Sequence, residues 1–317
     1  MKICLISFDY WGYDEKIADE LTKMGHETFH LKLSNYKYHY KNVGEKIINS
    51  INKILFQKNI KKIKTEELIL SSLKNKGIQE KIIIINPERI SKNCHSKIKS
   101  FTDSYVAYLY DSIDRYDNKS LIKDAIFDKV YTFDKNDAEK YNLHFLSNYI
   151  HLKKNINKTQ PNYKILSISS VDERYTTIKT IVKLLDKKQI KHQTIFFGKR
   201  KPKNFKTSAV FTTEKLSQNQ IQEKIENSEI ILDVLRENQN GLSFRIFDAL
   251  ALDKKIITTN TSVTEYDFYN PNNILVVDKN KIEIPDSFLN TEYQKIPEDI
   301  YNKYTLKNWI NTILKNE

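Results

Sequence analysis

Apolar and polar positions along the chain switch between two periods, and the switches mark out its elements. Lys2–Phe8 is a short apolar run, which predicts a buried strand. Asp9-Tyr10-Trp11-Gly12-Tyr13 reads as a turn. Ile17, Ala18, Leu21 and Met24 then recur at helical spacing behind Asp14, a capping residue type, and Gly25 marks the stop. Thr28–Leu33 predicts a second strand. Strand, helix and strand within about 30 residues form a βαβ unit and a parallel sheet. Further strands are expected at Lys81–Ile85, Tyr105–Tyr110 and Lys129–Phe133, with a short helix near Asp137–Tyr141.

A second cycle begins near residue 163. It predicts strands at Tyr163–Ser169, Gln193–Phe197, Glu229–Val234, Lys255–Thr259 and Ile274–Val277. Helices are expected at Thr176–Lys187, Gln218–Asn227, Leu242–Leu252 and around Thr305–Leu314. The polar stretch Lys153–Asn162, with Pro161, separates the cycles. The fold class expected is α/β: two doubly wound domains in tandem, over 1–155 and 156–300. Ligands of such sheets sit outside the carboxyl ends of the strands, here in an inter-domain cleft.

The length of 317 residues suits two domains. With 39% hydrophobic and 29% charged residues the composition forms a core rather than a disordered chain. Six Gly and six Pro exclude collagen-like and linker-rich architectures. Cys4 and Cys94 lie far apart without metal-ligand spacing, which argues against a disulfide scaffold or zinc finger and fits a reducing compartment. There is no apolar run of membrane-spanning length. The opening MKICLISF is too short for a signal peptide, so a cytoplasmic location is expected.

The net charge of +12 is unevenly spread. Between residues 35 and 100, fourteen lysines and Arg89 face only Glu45, Glu66, Glu67, Glu80 and Glu88. Such a concentration attracts nucleic acid, anionic lipid or phosphorylated substrates. Within residues 44–73, Ile47, Ile48, Ile51, Ile54 and Leu55 recur at helical spacing among Lys46, Lys53 and Lys58, followed by Lys61-Lys62-Ile63-Lys64. A basic amphipathic helix of this kind can lie in the interface of an anionic membrane. The commoner use of the same stripe is to pack on a sheet while the lysines stay solvated.

The chemistry concentrates in Asn238-Gln239-Asn240-Gly241-Leu242-Ser243-Phe244-Arg245-Ile246-Phe247-Asp248. The segment joins a buried strand to an amphipathic helix. Gly241 admits close backbone approach, Ser243 can cap, and free N–H groups at the helix start favour phosphate. Arg245 can add a bidentate phosphate contact. Asp248, near the second turn, can accept from a ribose diol. After the strand at 163–169, Ser170-Val171-Asp172-Glu173-Arg174-Tyr175 opens a helix, and Arg174 is placed to reach the same diphosphate. Each residue also has an ordinary structural use in a loop-to-helix junction.

These stretches resemble bacterial glycosyltransferases of the GT-B fold, in particular the CgeB-like, capsule and lipopolysaccharide biosynthesis enzymes. Gln239 to Asp248 looks like that group's Gln-x-Gly-Leu-[Ser/Thr]-x-Arg-x-x-Glu signature, and Lys254 to Asn260 like the strand after it. Tyr110-Asp111-Ser112 resembles Trp-Asp-Ser, and Asp128 to Asp134 a Phe-Asp element; Phe268 to Ile274 and the tail at Trp309 are also similar. The resemblance runs from about residue 105 onward and is thin over 34–80. Asp248 stands where the group has Glu, and Tyr110 where it has Trp.

The resemblance implies two Rossmann-like domains. The second would bind a nucleotide sugar, a UDP-sugar for preference, through Arg174, Gln239, Gly241, Leu242, Ser243, Arg245, Asp248 and Asn260. The first would bind a glycan or lipid-linked acceptor, and the terminal helix, 301–317, would cross back onto it. The work would belong to surface polysaccharide synthesis (capsule, lipopolysaccharide or O-antigen), with no cofactor and no metal, and basic groups would take up the charge of the leaving diphosphate. An inverting reaction needs a base, for which Asp111 and then Asp9 are the candidates, whereas a retaining one does not. Tyr10, Trp11 and Tyr13 would face the acceptor, since aromatic faces suit sugar rings; packing beneath the site is the alternative. A peripheral place at the inner face of the plasma membrane, through 44–73, would suit a lipid-linked acceptor. A sugar-nucleotide epimerase of similar fold is one alternative. A non-enzymatic nucleic-acid-binding protein is the other; it is disfavoured because the lysines alternate with isoleucines rather than forming an RNA-binding signature, so no nucleic acid is expected.

Overall fold

The structure, a computed structural model, describes residues 1–56, 58–115, 119–154, 160–203 and 205–315. The chain divides into two compact units, Met1–Leu146 and Ser147–Glu317. The boundary expected at 155/156 lies outside the described residues.

The first unit runs β1 (Lys2–Ser7), α1 (Tyr13–Lys23), β2 (Glu27–Lys32), α2 (Val43–Phe56), α3 (Ile60–Lys76), β3 (Lys81–Ile85), α4 (Lys92–Lys99), β4 (Tyr105–Leu109), α5 (Lys119–Lys123), β5 (Lys129–Thr132), α6 (Lys135–Tyr141) and β6 (His144–Phe145). The strands form one six-stranded sheet in the order β2-β1-β3-β4-β5-β6, every pair parallel. Leu5 of β1 sits between His30 and Ile83, which fixes the register at the centre. β3 and β4 are buried along their whole length, as their apolar runs require in a sheet covered on both faces. The order reverses direction between β1 and β3, and a sheet of this kind opens its binding crevice at such a point.

Helix α1 begins differently from the sequence expectation. Its cap is Gly12, held at φ 78°, and Asp14 lies inside the first turn. The side chain of Asp9 does the capping, accepting from the Asp14 N–H at 3.1 Å. The end follows expectation: Gly25 takes φ 87° and the N–H of His26 reaches back to the Leu21 carbonyl.

The basic segment forms α2 and α3. In α2 the only buried residue is Asn49, and the isoleucines face outward. A stripe packed on the sheet, the commoner reading of the pattern, is therefore not what forms.

The second unit runs β7 (Tyr163–Ser170), α7 (Tyr175–Lys187), β8 (His192–Phe197), β9 (Val210–Thr212), α8 (Gln218–Glu226), β10 (Ser228–Asp233), α9 (Phe244–Ala251), β11 (Lys255–Thr258), β12 (Ile274–Val276), α10 (Asp286–Asn290), α11 (Glu298–Lys303) and α12 (Leu306–Leu314). Its parallel sheet has the order β12-β11-β10-β7-β8-β9. The chain starts in the middle, winds out to one edge, returns beside its start and winds out to the other. That is the doubly wound order, with its switch point between β7 and β10. Apolar residues fill both faces of the sheet: Leu166, Ile231, Phe247 and Ile256 on one, Ile165, Ile181, Phe196 and Ile257 on the other.

Helix α12 closes the second unit. Trp309 lies 5.1 Å from Tyr149, ring to ring, and Ile150 pairs with the chain just ahead of α12 through its N–H to Tyr304 and its carbonyl to Leu306. Among the described residues no helix is long and apolar enough to cross a membrane.

Candidate functional site

In the second unit the loops after β7, β10 and β11 meet on neighbouring strands, because β10 lies between β7 and β11. The β7 loop carries Asp172 and Arg174. Arg174 occupies the cap position of α7 and forks onto its neighbour, with Nε at 2.9 Å from Asp172 Oδ1 and Nη2 at 2.7 Å from Oδ2. Arg236, from the β10 loop, reaches the same carboxylate at 3.2 Å. Burial alone would raise the Asp172 carboxyl, but the two guanidinium groups hold it below the ordinary range. One carboxylate thus ties two arginines from different loops together at the switch point.

The β10 loop continues into α9. Ser243 caps α9, accepting from the Arg245 N–H at 3.2 Å and donating to Asp233 Oδ1 at 2.7 Å. Asp233 ends β10 and is buried; burial raises its carboxyl, against Ser243 and the charges of Arg174 and Arg245. The loop backbone is clamped from several sides. Asn260 donates its amide to the carbonyls of Asn240 at 3.0 Å and Gly241 at 3.3 Å, Ser262 reaches the Asn240 carbonyl at 2.6 Å, and Asn148 reaches that of Leu242 at 2.9 Å. Loop carbonyls so occupied hold the backbone of 240–243 in one geometry ahead of the helix N-terminus, which is what recognition of an anion by N–H groups requires.

The expected nucleotide residues therefore separate into two kinds. Arg174, Ser243 and the half-buried Gln239 lie on the loops of the switch point, and Arg245 in the first turn of α9. Gly241 is buried in the clamped turn, and Leu242 sends its side chain into the core. Asn260 is buried and spends its amide on the loop. Asp248 is fully buried; it pairs with Arg245, and its other oxygen is 3.7 Å from His151 Nδ1. In this state Asp248 orients Arg245 and presents no edge to a ribose. Arg236 and the linking Asp172 are residues the sequence reading did not single out. Their position at strand ends was the available signal.

The carboxyl edge of the first sheet is acidic. Asp9 follows β1 with φ 40°, a left-handed conformation uncommon for a residue with a side chain. It is buried, and Lys32 at the end of β2 pairs with it at 2.9 Å. Asp14 lies behind it, and burial first, then repulsion from Asp9, raises its carboxyl to about 7 against bonds from Ser7 and Tyr110. After β3, Glu88 is likewise raised to about 7 by burial, with the charge of Asp111 adding to the effect and Arg89 opposing it. Asp111 follows β4, is partly exposed, and pairs with Arg115 at 3.3 Å. Asn86 accepts from the Tyr110 N–H at 3.0 Å and so ties the β3 and β4 loops together.

The aromatic cluster of the first loop divides. Tyr10 and Trp11 are exposed. Tyr10 stacks on Phe8, and the Arg89 guanidinium lies 4.8 Å from its ring centre while donating to its hydroxyl at 3.1 Å. Tyr13 is half-buried at the start of α1. Among the described residues no group of three or more His, Cys, Asp or Glu is arranged to hold a metal ion.

No protein-family model and no curated protein matches the sequence. Solved structures do match. The α,α-trehalose-phosphate synthase (UDP-forming) of Burkholderia vietnamiensis superposes with a TM-score of 0.61 at 8% identity, covering 99% of this chain and 96% of that one. The UDP-GlcNAc 2-epimerase of Methanocaldococcus jannaschii, in complex with UDP-GlcNAc and UDP, gives 0.55 at 14% identity, with 99% of each chain covered. Against the Glycosylation Associate Protein (Gap123) complex of Streptococcus agalactiae, 84% of this chain aligns at 13% identity with a TM-score of 0.43 and spans just 58% of that chain. At these identities the likeness establishes architecture, and the architecture is the pair of six-stranded, Rossmann-like units of the GT-B fold.

Proposed function

We propose that the protein is a glycosyltransferase of the GT-B type. It moves a sugar from a nucleotide diphosphate donor, UDP-linked for preference, to a glycan or lipid-linked acceptor in the synthesis of a bacterial surface polysaccharide. The observation that carries this reading is the arginine set of the second unit at the β7/β10 switch point: Arg174 and Arg236 on loops, and Arg245 in the first turn of α9 after the clamped turn. A leaving diphosphate gains negative charge as the glycosidic bond breaks. Guanidinium forks and helix N–H groups fixed in advance stabilise that charge without reorganising, and electrostatic terms of this kind are commonly the largest in catalysis. The reading is metal-independent, because the arginines supply the positive charge. Of two structurally similar proteins, one is a UDP-forming synthase and the other is in complex with UDP, which supports uridine as the base.

In the first unit, Asp111 is the proposed base toward the acceptor hydroxyl. It stands at a strand end and is partly exposed, whereas Asp9 is buried, pairs with Lys32 and caps α1 through the Asp14 N–H. Tyr10 and Trp11, both exposed, are the proposed aromatic contacts to a sugar ring. The protein would work in the cytoplasm, at the inner face of the plasma membrane when the acceptor is lipid-linked.

A thermal-shift screen with UDP, GDP, dTDP, ADP and CMP tests the reading. At 100 times its dissociation constant the right nucleotide stabilises the fold by about 2.7 kcal/mol. One nucleoside diphosphate is expected to shift the wild type and not Arg174→Ala. No shift with any of them, from folded protein, would remove the donor site and the transferase with it. Turnover of a nucleotide sugar with no acceptor present would replace the transferase by an epimerase.

A further inference from the structure

Helix α2 is built inside out. At about 100° per residue, Val43, Ile47, Ile48, Ile51, Ile54 and Leu55 fall within an arc of roughly 140°. All six are exposed, from 48% for Ile51 to 81% for Ile54, and Phe56 at the end of the helix adds another exposed ring. The opposite face carries Glu45, Asn49 and Asn52, and it is this polar face that turns toward the protein. Specific bonds hold it there. Asn49 is buried, donates to the Tyr40 hydroxyl at 2.8 Å, and accepts from the Ile60 N–H at 2.8 Å at the start of α3. Glu45 accepts from the Tyr38 hydroxyl at 2.6 Å and the Lys41 N–H at 2.7 Å. The orientation is therefore fixed by hydrogen bonds, and the apolar face is left to something outside the unit.

The base of this element is firm. Ile69 and Leu73 of α3 enter the core of the first unit, and Glu66 accepts from both the N–H and the hydroxyl of Ser91 at the start of α4. Exposed lysines accompany the apolar face: Lys46 and Lys53 lie on one side of it along α2, and Lys58 just past the helix end. A contiguous apolar face of this extent is unusual on a free soluble surface.

We infer that α2 is an interfacial helix that docks on an anionic lipid bilayer, its isoleucines entering the acyl boundary and its flanking lysines meeting lipid phosphates. An apolar stripe bordered by cations is complementary to that surface and to few others. The inference deepens the proposed function by placing the first unit at the surface where a lipid-linked acceptor resides, but its test does not depend on activity.

The full-length protein is floated with vesicles of phosphatidylcholine alone and of phosphatidylcholine with phosphatidylglycerol, at low and high salt. The expected result is binding to the mixed vesicles that weakens with salt. It should fall at least tenfold in Ile47→Ser/Ile51→Ser/Ile54→Ser and severalfold in Lys46→Glu/Lys53→Glu. Because these side chains are exposed, both variants should keep the wild-type melting temperature and any nucleotide response of the second unit. Failure of monomeric wild type to bind mixed vesicles overturns the inference, as does equal binding by the isoleucine variant. A wild-type dimer that the isoleucine variant dissolves would assign the face to a second copy and overturn it as well. A nucleotide response without vesicle binding would leave the transferase reading standing alone, and the converse would leave the helix.

Discussion

At the carboxyl edge of the first sheet the loops and the helix starts after them carry Asp9, Asp14, Glu88 and Asp111; at the switch point of the second they carry Arg174, Arg236 and Arg245. The two sheets share strand number, parallel pairing and a reversal of winding direction, yet the same geometric position holds acids in one and guanidinium groups in the other. Topology therefore supplies the place, and the loop residues supply the chemistry. Within each edge the minority charge has a structural task. Lys32 and Arg115 pair with acids in the first unit, while Asp172 and Asp248 hold arginines in position in the second. The arginine edge suits a developing anion. At the acidic edge, burial raises the carboxyls of Asp14 and Glu88 to about 7.

The comparison breaks most visibly at Asp111. If the acidic edge handles the proton of an inverting transfer, Asp111→Asn should lower kcat by about 10²–10⁴-fold and leave nucleotide affinity unchanged, as steady-state kinetics beside binding would show. An unchanged kcat would move the base elsewhere or make the reaction retaining. Asp248→Ala should act on the arginine edge through stability. It removes a fully buried partner of Arg245, which costs about 3–5 kcal/mol and lowers the melting temperature by roughly 10 °C or more. Asp248→Glu, if the helix accommodates the extra methylene, should recover part of both stability and nucleotide affinity.

Arg174→Ala should cost about 10²–10³-fold in kcat/KM, the range for loss of one charge-stabilising donor, with the fold intact because Arg236 still pairs with Asp172. The smallest effect sharpens the acidic side. The Asp14 carboxyl is raised in the folded protein, so the fold binds a proton that the unfolded chain has already released between about pH 4 and pH 7. Stability from this group is complete below the unfolded value and is lost as pH rises through about 7. Asp14→Asn should therefore remove about 2–4 kcal/mol of the decline in stability over that interval. Equal pH slopes in melting curves of the two proteins would show that Asp14 is not held protonated.

Much of this was legible in the sequence. Lys81–Ile85 and Tyr105–Leu109 are apolar runs that have no use outside a covered parallel sheet, and Gly25 ends α1 where its position suggests. The Gln239–Asp248 segment and Arg174 were identifiable because they follow strands and open helices. What escaped depends on contacts between distant residues. Arg236 continues the run Val234-Leu235 and gains meaning only from Asp172, which arrives from another loop. The burial of Asp248 is set by Arg245 and by His151, which enters from the start of the unit. Periodicity showed that α2 has an apolar stripe, but a period cannot say which face turns inward; that is decided by Asn49 bonding to Tyr40 and Ile60. The strands His144–Phe145 and Val210–Thr212 are too short to carry a period at all.

The central claim is that the arginine edge of the second unit holds a nucleoside diphosphate while the acidic edge of the first does not. Calorimetric titration of UDP into the wild type, Arg174→Ala and Asp111→Asn tests it most directly. The account predicts that Arg174→Ala weakens binding at least tenfold and that Asp111→Asn binds as the wild type does. Equal weakening in both variants, or no binding by the folded wild type of UDP or of any other nucleoside diphosphate, would contradict it.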